Sequence, residues 1–338
     1  MLRYLLRRIL VIPFLLLGVA SVAFLLSQIT KGDPLSALIP ERMMSNEAVV
    51  EAIKTQWGLD RSLPERYVIY MTRLVQGDLG TSFTTRRPVL TDIAERLPAT
   101  LELVIAAMIF GCSSGFGLGM IAARFKNTAA DISARSFALL GSSLPIFWSG
   151  LILLYIFSVK LGWVPGTGRL DARSIAPETV TGFFTIDAIL AGNMPALLEA
   201  LGHLVLPAFV LGWSVTGIIT RLIRSSMLDA LNQDYVRTAR AKGAPEHIVL
   251  LRHAFRNALI PTLTIMGFTF AYLITGAVLT EAIFSWPGIG SYAVSAARSL
   301  DYPAIVGVTL VGAVAFLLAN LLTDVAYAFA NPRIKIAG

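Results

Sequence analysis

Residues 103–123 read LVIAAMIFGCSSGFGLGMIAA and contain no Asp, Glu, Lys or Arg. A helix needs about 20 apolar residues to cross a hydrocarbon core of about 30 Å, and inside that core it must satisfy its own backbone polar groups. A large soluble core could hide one such run, but six runs argue against that explanation. The sequence therefore predicts an all-α, polytopic membrane protein with six transmembrane helices. The other five runs are 9–29, 136–159, 200–220, 257–280 and 302–323.

The composition supports a membrane protein. Only 14% of the 338 residues are charged and 55% are hydrophobic, whereas about a quarter of an ordinary soluble domain is charged. Such hydrophobicity excludes intrinsic disorder, and the single cysteine, Cys112, excludes an internal disulfide. The first run follows a basic N-terminus, as a secretory signal does, but it is too long and lacks a small-residue cleavage pattern. We therefore expect it to be retained as a span.

The distribution of basic residues predicts the orientation. With both termini in the cytoplasm, 15 of the 66 inside residues (1–8, 124–135, 221–256 and 329–338) are Lys or Arg. Only 13 of the 134 outside residues (30–102, 160–199 and 281–301) are basic. Because cytoplasmic loops carry an excess of Lys and Arg, this twofold difference in density predicts an N-in, C-in topology.

The chain divides into four parts. Residues 1–29 form a short cytoplasmic tail and the first span, 30–98 an extracytoplasmic helical cap, 99–328 a core with five spans, and 329–338 a cytoplasmic tail. Two amphipathic helices are predicted in the cap, although a helix pair lying on the membrane surface fits the pattern equally well. Their apolar positions and stops are Val49 or Val50, Ile53, Trp57 and Gly58, then Pro64, Tyr67, Met71, Leu74 and Gly77.

Two outer segments follow. Residues 160–199 are rich in Gly, Pro and Thr and predict a loop with one short helix near 183–190. Residues 285–290 read SWPGIG, which is a strong turn signal. We expect Trp286 to act as an anchor at the membrane interface, a common role for Trp in membrane proteins.

The longest inside loop, 221–256, carries the most specific pattern. Asn232 or Asp234 can cap a short helix over 235–242, Gly243 supplies a left-handed stop, and Pro245 opens the next helix. That second helix is predicted to place Ile248, Leu251 and Phe255 on one side, with Arg252 and Arg256 opposite. A bare positive-inside loop would not need this helix pair. A helix-turn-helix that binds nucleic acid would also be basic, but nothing else in the chain supports it, so no nucleic-acid partner is expected. A helix that docks on a cytoplasmic protein explains the pattern best.

Residues 234–243 (DYVRTARAKG) resemble the "EAA" coupling loop of bacterial ABC import permeases, and are most similar to that of the dipeptide/oligopeptide (DppB/OppB-type) family. Further similar motifs occur in order along the chain, at 58–60, 77–82, 96–101, 253–261, 281–290 and 301–303. The chain departs from the general permease pattern where Arg237, Thr238 and Ala239 replace Glu-Ala-Ala. At the C-terminus, Asn331 replaces the usual Asp of Asp-Pro-Arg.

The resemblance implies a type I ABC importer permease fold and a subunit of the inner membrane of a prokaryotic cell. Its implied partners are a second permease (DppC/OppC-like), two nucleotide-binding ATPase subunits and an extracytoplasmic substrate-binding protein. ATP and Mg²⁺ would be bound by the ATPase subunits, because this chain has no Gly-x-x-x-x-Gly-Lys-Ser/Thr loop; no enzyme activity or cofactor is expected of the chain itself. The residues to which the resemblance assigns ATPase coupling are Asp234, Tyr235, Arg237, Thr238, Ala239, Arg240, Lys242 and Gly243.

The resemblance leaves the solute open. Peptides are the first expectation, while glutathione, nickel chelates and oligosaccharides are alternatives within the same family. A stand-alone secondary transporter is a further alternative, but it predicts an internal repeat and buried ionisable groups, and the sequence indicates neither. The residues that would bind substrate cannot be assigned from the sequence.

The remaining candidates concern packing and charge. Gly111, Gly115 and Gly119 recur every four residues, a spacing that lets helices approach closely, either within the chain or against a second permease. The ionisable residues at the ends of runs are expected at the membrane interface; they are Glu102, Arg221, Glu281 and Asp324. His203, His247 and His253 lack a metal-ligand spacing, so no metal site is predicted, and no set of residues suggests a catalytic site.

Overall fold

The computed structural model describes residues 2–29, 47–57, 60–171 and 173–330. These residues are predominantly helical and contain no β-strand, apart from an isolated antiparallel bridge between Thr81 and Pro88. The expected Gly58 stop, the first part of the predicted cap (30–46) and most of the tail at 329–338 lie outside them. The helices are α1 (Leu2–Ile29), α2 (Glu47–Trp57), α3 (Leu63–Val75), α4 (Val89–Arg124), α5 (Ala129–Ser143), α6 (Ile146–Leu154), α7 (Phe184–Leu190), α8 (Met194–Leu231), α9 (Asp234–Ala241), α10 (Glu246–Ile248), α11 (Arg256–Phe284), α12 (Ile289–Arg298) and α13 (Tyr302–Ala330).

Among the described residues, three helices, α4, α8 and α13, are each long and apolar enough to cross a membrane, and the number rises to five if each of two bent pairs counts as one span. The prediction of an all-helical protein with several candidate spans is confirmed. All six charge-free runs fall on helices, but the third run is not one straight helix. Helix α6 continues as a π-helix over Tyr155–Lys160, and together they meet α5 at an angle of 105°. Pro145 lies at the bend, where a proline disfavours helical backbone in the residue before it.

Several helix boundaries differ from the predicted ones. Helix α4 begins at Val89 and therefore crosses the limit drawn between the cap and the core. Helix α8 continues to Leu231, so eleven residues that the sequence placed in a loop (221–231) extend the fourth run. The short helix expected near 183–190 is present as α7. Helix α12, after the SWPGIG turn, was not predicted.

Helices α4 and α8 form the centre of the molecule. A Cβ atom added to Gly111 would lie 2.6 Å from Val215, and one added to Gly115 would lie 2.6 Å from Ile219. At Gly119 the corresponding distance to Ile223 is 2.8 Å. The three glycines therefore pack within the chain, against α8. Each step of four residues along α4 is matched by a step of four residues in the same direction along α8. The two helices therefore run parallel.

The second packing layer joins the first and last helices. Ala20 of α1 is fully buried against Val306 and Leu310 of α13. Tyr67 and Tyr70 of α3 contact Phe24 of α1, with ring centroids 5.5 Å apart in both pairs. The second helix of the predicted cap thus packs through its Tyr67–Met71–Leu74 face onto α1 and α13.

Candidate functional site

The segment between α8 and α11 contains the short helix that the sequence singled out. Helix α9 spans Asp234–Ala241, and Gly243 has a φ of +77°. The Ala244 N–H donates to the Ala239 carbonyl at 3.1 Å, and the Gly243 N–H donates to the Arg240 carbonyl at 2.9 Å. These two bonds form a Schellman motif, which favours glycine at the left-handed position. The predicted glycine stop is confirmed.

The start of α9 differs from the prediction. Its N-cap residue is Gln233, whose side chain makes no capping hydrogen bond, so neither Asn232 nor Asp234 caps the helix. Asp234 instead occupies the first turn, where a negative charge interacts favourably with the helix dipole. It lies 3.5 Å from Arg237, and both side chains are strongly exposed, so this ion pair contributes little to stability.

Helix α9 rests on a small apolar seat. Val236 and Val249 are fully buried and pack with Ala239, while Leu231 and Ala244 complete the cluster. Of the residues assigned to coupling, Ala239 therefore belongs to the seat and not to the exposed surface. The others are exposed: Asp234, Tyr235, Arg237, Thr238, Arg240, Lys242 and Gly243.

Two polar contacts fix α9 to the following segment. The Arg240 guanidinium donates two hydrogen bonds to Glu246, at 3.1 and 2.8 Å. This hydrogen-bonded pairing raises the pKa of Arg240 and lowers the pKa of Glu246. The Asn257 side-chain amide donates to the Tyr235 hydroxyl at 3.0 Å. Arg240 and Tyr235 thus connect the two ends of α9 to the start of α10 and to the first turn of α11, respectively.

A π-helix over Val249–Phe255 joins α10 to α11. Val249, Leu250 and Ala254 are its buried residues, while Leu251 is 55% exposed. The prediction that Leu251 belongs to the apolar face is wrong, because the wider turn of a π-helix shifts the buried positions relative to α-helical spacing. Leu250 and Ala254 belong to the central core, together with Met227 of α8.

The end of the bundle that carries α9 is held together by a buried carboxylate. Asp131 accepts two hydrogen bonds from Arg224, at 2.9 and 2.8 Å, and lies 2.8 Å from Arg135. Its side chain has no exposed surface. This cluster connects α5 with the C-terminal part of α8, which is followed directly by α9. We refer to this end, comprising residues 124–135 and 224–256, as the Asp131 end.

The opposite end contains residues that the sequence analysis placed wrongly, at the membrane interface. Trp286 is 1% exposed, and its indole N–H donates to the Ala99 carbonyl at 2.8 Å. It is therefore not an anchor at the membrane interface but a core residue that packs against α4. Hydrophobicity alone cannot tell a lipid-facing Trp from one that a neighbouring helix covers. We call this end, comprising residues 78–102, 160–190 and 281–305, the Trp286 end.

Glu281 and Glu102 are also buried, contrary to the expected interfacial position. Glu281 is fully buried, accepts a hydrogen bond from Thr100 at 2.6 Å and accepts the Ser291 N–H at 2.8 Å. Glu102 pairs with Arg169 at 2.5 Å, and both side chains are at most 7% exposed. Arg221 is exposed, as the interfacial prediction requires, and the side chain of Asp324 lies outside the described residues.

Separated motifs of the sequence meet at the Trp286 end. Ser82 donates to Asp301 at 2.5 Å, and the Thr84 N–H donates to the same carboxylate at 3.0 Å. The Tyr292 hydroxyl donates to Asp92 at 3.1 Å. The signal that could have found this arrangement is the position of Asp301 directly before Tyr-Pro, which is typical of a helix start.

These features describe a helical integral membrane protein with several candidate spans. A family model described as "Binding-protein-dependent transport system inner membrane component" matches residues 115–336, and the N-terminal model of the same group matches residues 1–104. The chain belongs to this family of binding-protein-dependent transport permeases.

Individual relatives are similar over nearly the whole chain. The di/tripeptide transport system permease protein DppB of Pseudomonas aeruginosa is 44% identical over 99% of both chains. The probable D,D-dipeptide transport system permease protein DdpB of Escherichia coli is 42% identical over 95% of this chain and 94% of its own length. The dipeptide transport system permease protein DppB of Escherichia coli is 39% identical over 99% of both chains.

Proposed function

We propose that this chain is a permease subunit of an ATP-driven ABC importer of short peptides. Full-length similarity to permeases named for dipeptides and tripeptides carries the proposal. The substrate class is therefore di- and tripeptides, delivered by an extracytoplasmic binding protein and passed between this chain and a second permease. ATP and Mg²⁺ are bound by two partner ATPase subunits.

The proposed topology has six spans in the inner membrane of a prokaryotic cell, with both termini in the cytoplasm. Two features of the fold support it. The parallel direction of α4 and α8 requires the chain between them to cross back once, which the bent pair α5–α6 can do. In addition, the predicted outside segments meet at the Trp286 end, whereas the predicted inside segments 124–135 and 221–256 meet at the Asp131 end.

The proposed coupling element is α9 with its glycine stop. Six of its eight residues are exposed, and the cations Arg237, Arg240 and Lys242 surround its free surface. A basic, rigidly capped helix suits an acidic cleft on an ATPase subunit, because opposite surface charges steer and orient association. The partner surface would move α9 as a unit, since two valines and an ion pair fix the helix to its base.

The charge on α9 offers a direct experiment in the assembled transporter. We expect the double variant Arg237→Glu with Lys242→Glu to reduce co-purification of the ATPase subunits and to abolish dipeptide uptake into proteoliposomes. Lys126→Glu is the matched control, since it reverses an exposed cation at the same end without touching α9. Normal uptake and normal ATPase stimulation in the double variant would contradict the coupling role.

The conformation of Gly243 allows a second test. Gly243 and Gly162 have φ values of +77° and +61°, and neither has an atom within 4 Å of an added Cβ. Valine at either position meets the same left-handed strain, of order 1–2 kcal/mol. We expect Gly243→Val to lower peptide-stimulated ATP hydrolysis and Gly162→Val to leave it unchanged.

ATP-independent uptake by the purified chain alone would instead support a stand-alone secondary transporter.

A further inference from the structure

Three potential metal ligands, two from α8 and one from the loop before it, lie close together. Glu199 and His203 are one turn apart on the same face of this helix, and Asp171 lies in the preceding loop. One ligand atom from each of the three lies within 4.8 Å of the other two. The chain spacing of 28 residues between Asp171 and Glu199 explains why sequence motifs did not indicate the cluster.

His203 is the most informative member of the cluster. Its side chain is 1% exposed, and among the residues that the structure describes neither ring nitrogen has a hydrogen-bond partner. Burying a polar group without a hydrogen-bond partner is unfavourable, because the group loses its bonds to water. The His203 Nε2 atom lies 3.6 Å from Asp171 Oδ1, which is too long for a hydrogen bond.

Glu199 is already oriented for binding. Its Oε1 accepts the backbone N–H of Asp171 at 2.7 Å, and its Oε2 accepts the Ser174 hydroxyl at 2.9 Å. Each oxygen keeps a further lone pair, because a carboxylate has about four acceptor sites. Hydrogen bonds of this kind to a ligating carboxylate are typical of metal sites, where they hold the first ligands in position.

The distance between His203 and Asp171 suits a small tetrahedral ion, and each of the three pairs of ligand atoms lies within 4.8 Å. Zinc binds nitrogen and oxygen at about 2.0–2.2 Å, which separates tetrahedral ligands from one another by about 3.4 Å. The observed 3.6 Å between His203 Nε2 and Asp171 Oδ1 is close to that separation. The Asp171 side chain is 70% exposed, so the cluster opens to solvent on one side and leaves room for a water ligand.

We propose that Asp171, Glu199 and His203 form a divalent transition-metal site, with Zn²⁺ as the ion that fits best. Imidazole favours zinc and similar transition metals over Mg²⁺ or Ca²⁺, which prefer oxygen ligands alone. The bound ion satisfies the buried imidazole and fixes the loop around Asp171 to α8. Asp171 belongs to the Trp286 end, which is opposite to α9, so the site does not depend on the coupling role.

Metal content of the purified transporter tests the site. The complex is prepared without a histidine tag, treated with a chelator and titrated with Zn²⁺ against a chromophoric competitor. We expect the wild-type complex to bind one more equivalent per copy of this chain than the His203→Gln complex. Asp171→Asn changes an exposed side chain, so the variant should still fold. It should weaken Zn²⁺ binding at least about tenfold.

His247→Gln is the matched control, since His247 is exposed and lies outside the cluster. It should bind zinc as the wild type does. Substitution by Co²⁺ gives a second readout, because a tetrahedral cobalt site with one imidazole has a characteristic visible absorption that should vanish in His203→Gln. Equal zinc content in the wild type and in both cluster variants, including no zinc in any of them, would overturn the proposal.

Discussion

The close approach of α4 and α8 predicts that one methyl group at Gly115 destabilises the protein. An added Cβ would lie 2.6 Å from Ile219 Cγ2 and 2.7 Å from Ile219 Cβ, both far inside normal contact distance. Ile219 is fully buried, so it cannot turn aside and the helices must separate. Overpacking of this kind raises the free energy of the folded state by about 1–3 kcal/mol.

Gly117 on the same helix provides the control. No atom lies within 4 Å of a Cβ added there. Both alanine variants gain the same intrinsic helix propensity, of at most about 1 kcal/mol, so their difference isolates the packing effect. We expect Gly115→Ala to be about 1–3 kcal/mol less stable than Gly117→Ala. At about 2 °C per kcal/mol for a chain of this size, the melting temperatures in detergent should differ by about 2–6 °C.

A double variant identifies the contact responsible. Ile219→Ala removes the Cγ2 atom but leaves the Cβ atom at 2.7 Å, so it should relieve the clash only in part. Relative to the sum of the single effects, the Gly115→Ala and Ile219→Ala pair should regain at least about 0.5 kcal/mol. Equal melting temperatures for Gly115→Ala and Gly117→Ala, or strict additivity of the pair, would refute this account of the α4–α8 packing.

Three further substitutions test the buried polar contacts, each by thermal unfolding of the purified complex. Trp286→Phe should lower stability by about 1–3 kcal/mol, because the Ala99 carbonyl loses its buried donor; an unchanged melting temperature would favour the original interfacial interpretation. Arg169→Gln should cost about 3–5 kcal/mol by leaving Glu102 buried without its cation, and a second change of Glu102→Gln should recover part of the loss if the pair acts as a unit. Asp131→Asn should cost about 1–3 kcal/mol at the other end of the bundle, since two arginines lose a shared carboxylate; wild-type stability there would show that the cluster is dispensable.

The helical segments could be predicted because hydrocarbon imposes a length and forbids charge. Five of the six charge-free runs lie within single helices for that reason, and the third is helical on both sides of the bend at Pro145. Their ends could not be predicted in the same way, since polar residues continue a helix as readily as they begin a loop. Helix α8 therefore passes Arg221 without interruption and ends at Leu231. The bend between α5 and α6 could have been predicted from Pro145. It was missed because the runs were defined only by the absence of charged residues.

The surroundings of Trp286, Glu102 and Glu281 could not be read from the sequence. Glu102 and Glu281 lie at the ends of charge-free runs, and Trp286 lies six residues after one, so all three are at positions typical of the membrane interface. Whether such a residue faces lipid headgroups or another helix depends on which elements the fold brings beside it. Here, 181 positions separate Thr100 from its acceptor Glu281, and no local pattern records that pairing.

The proposed coupling segment shows the same division between local and tertiary information. Gly243 was predictable because a Schellman motif is a property of a few consecutive residues. The π-helix after it was not, and it determines how α9 is connected to the rest of the molecule. Val249 of this π-helix lies under α9, while Leu250 and Ala254 pack into the core beside Met227. One turn of backbone therefore contacts both the exposed helix and the centre of the bundle. A displacement of α9 would be transmitted to α8 and α11 through packed side chains, without passing through a flexible loop.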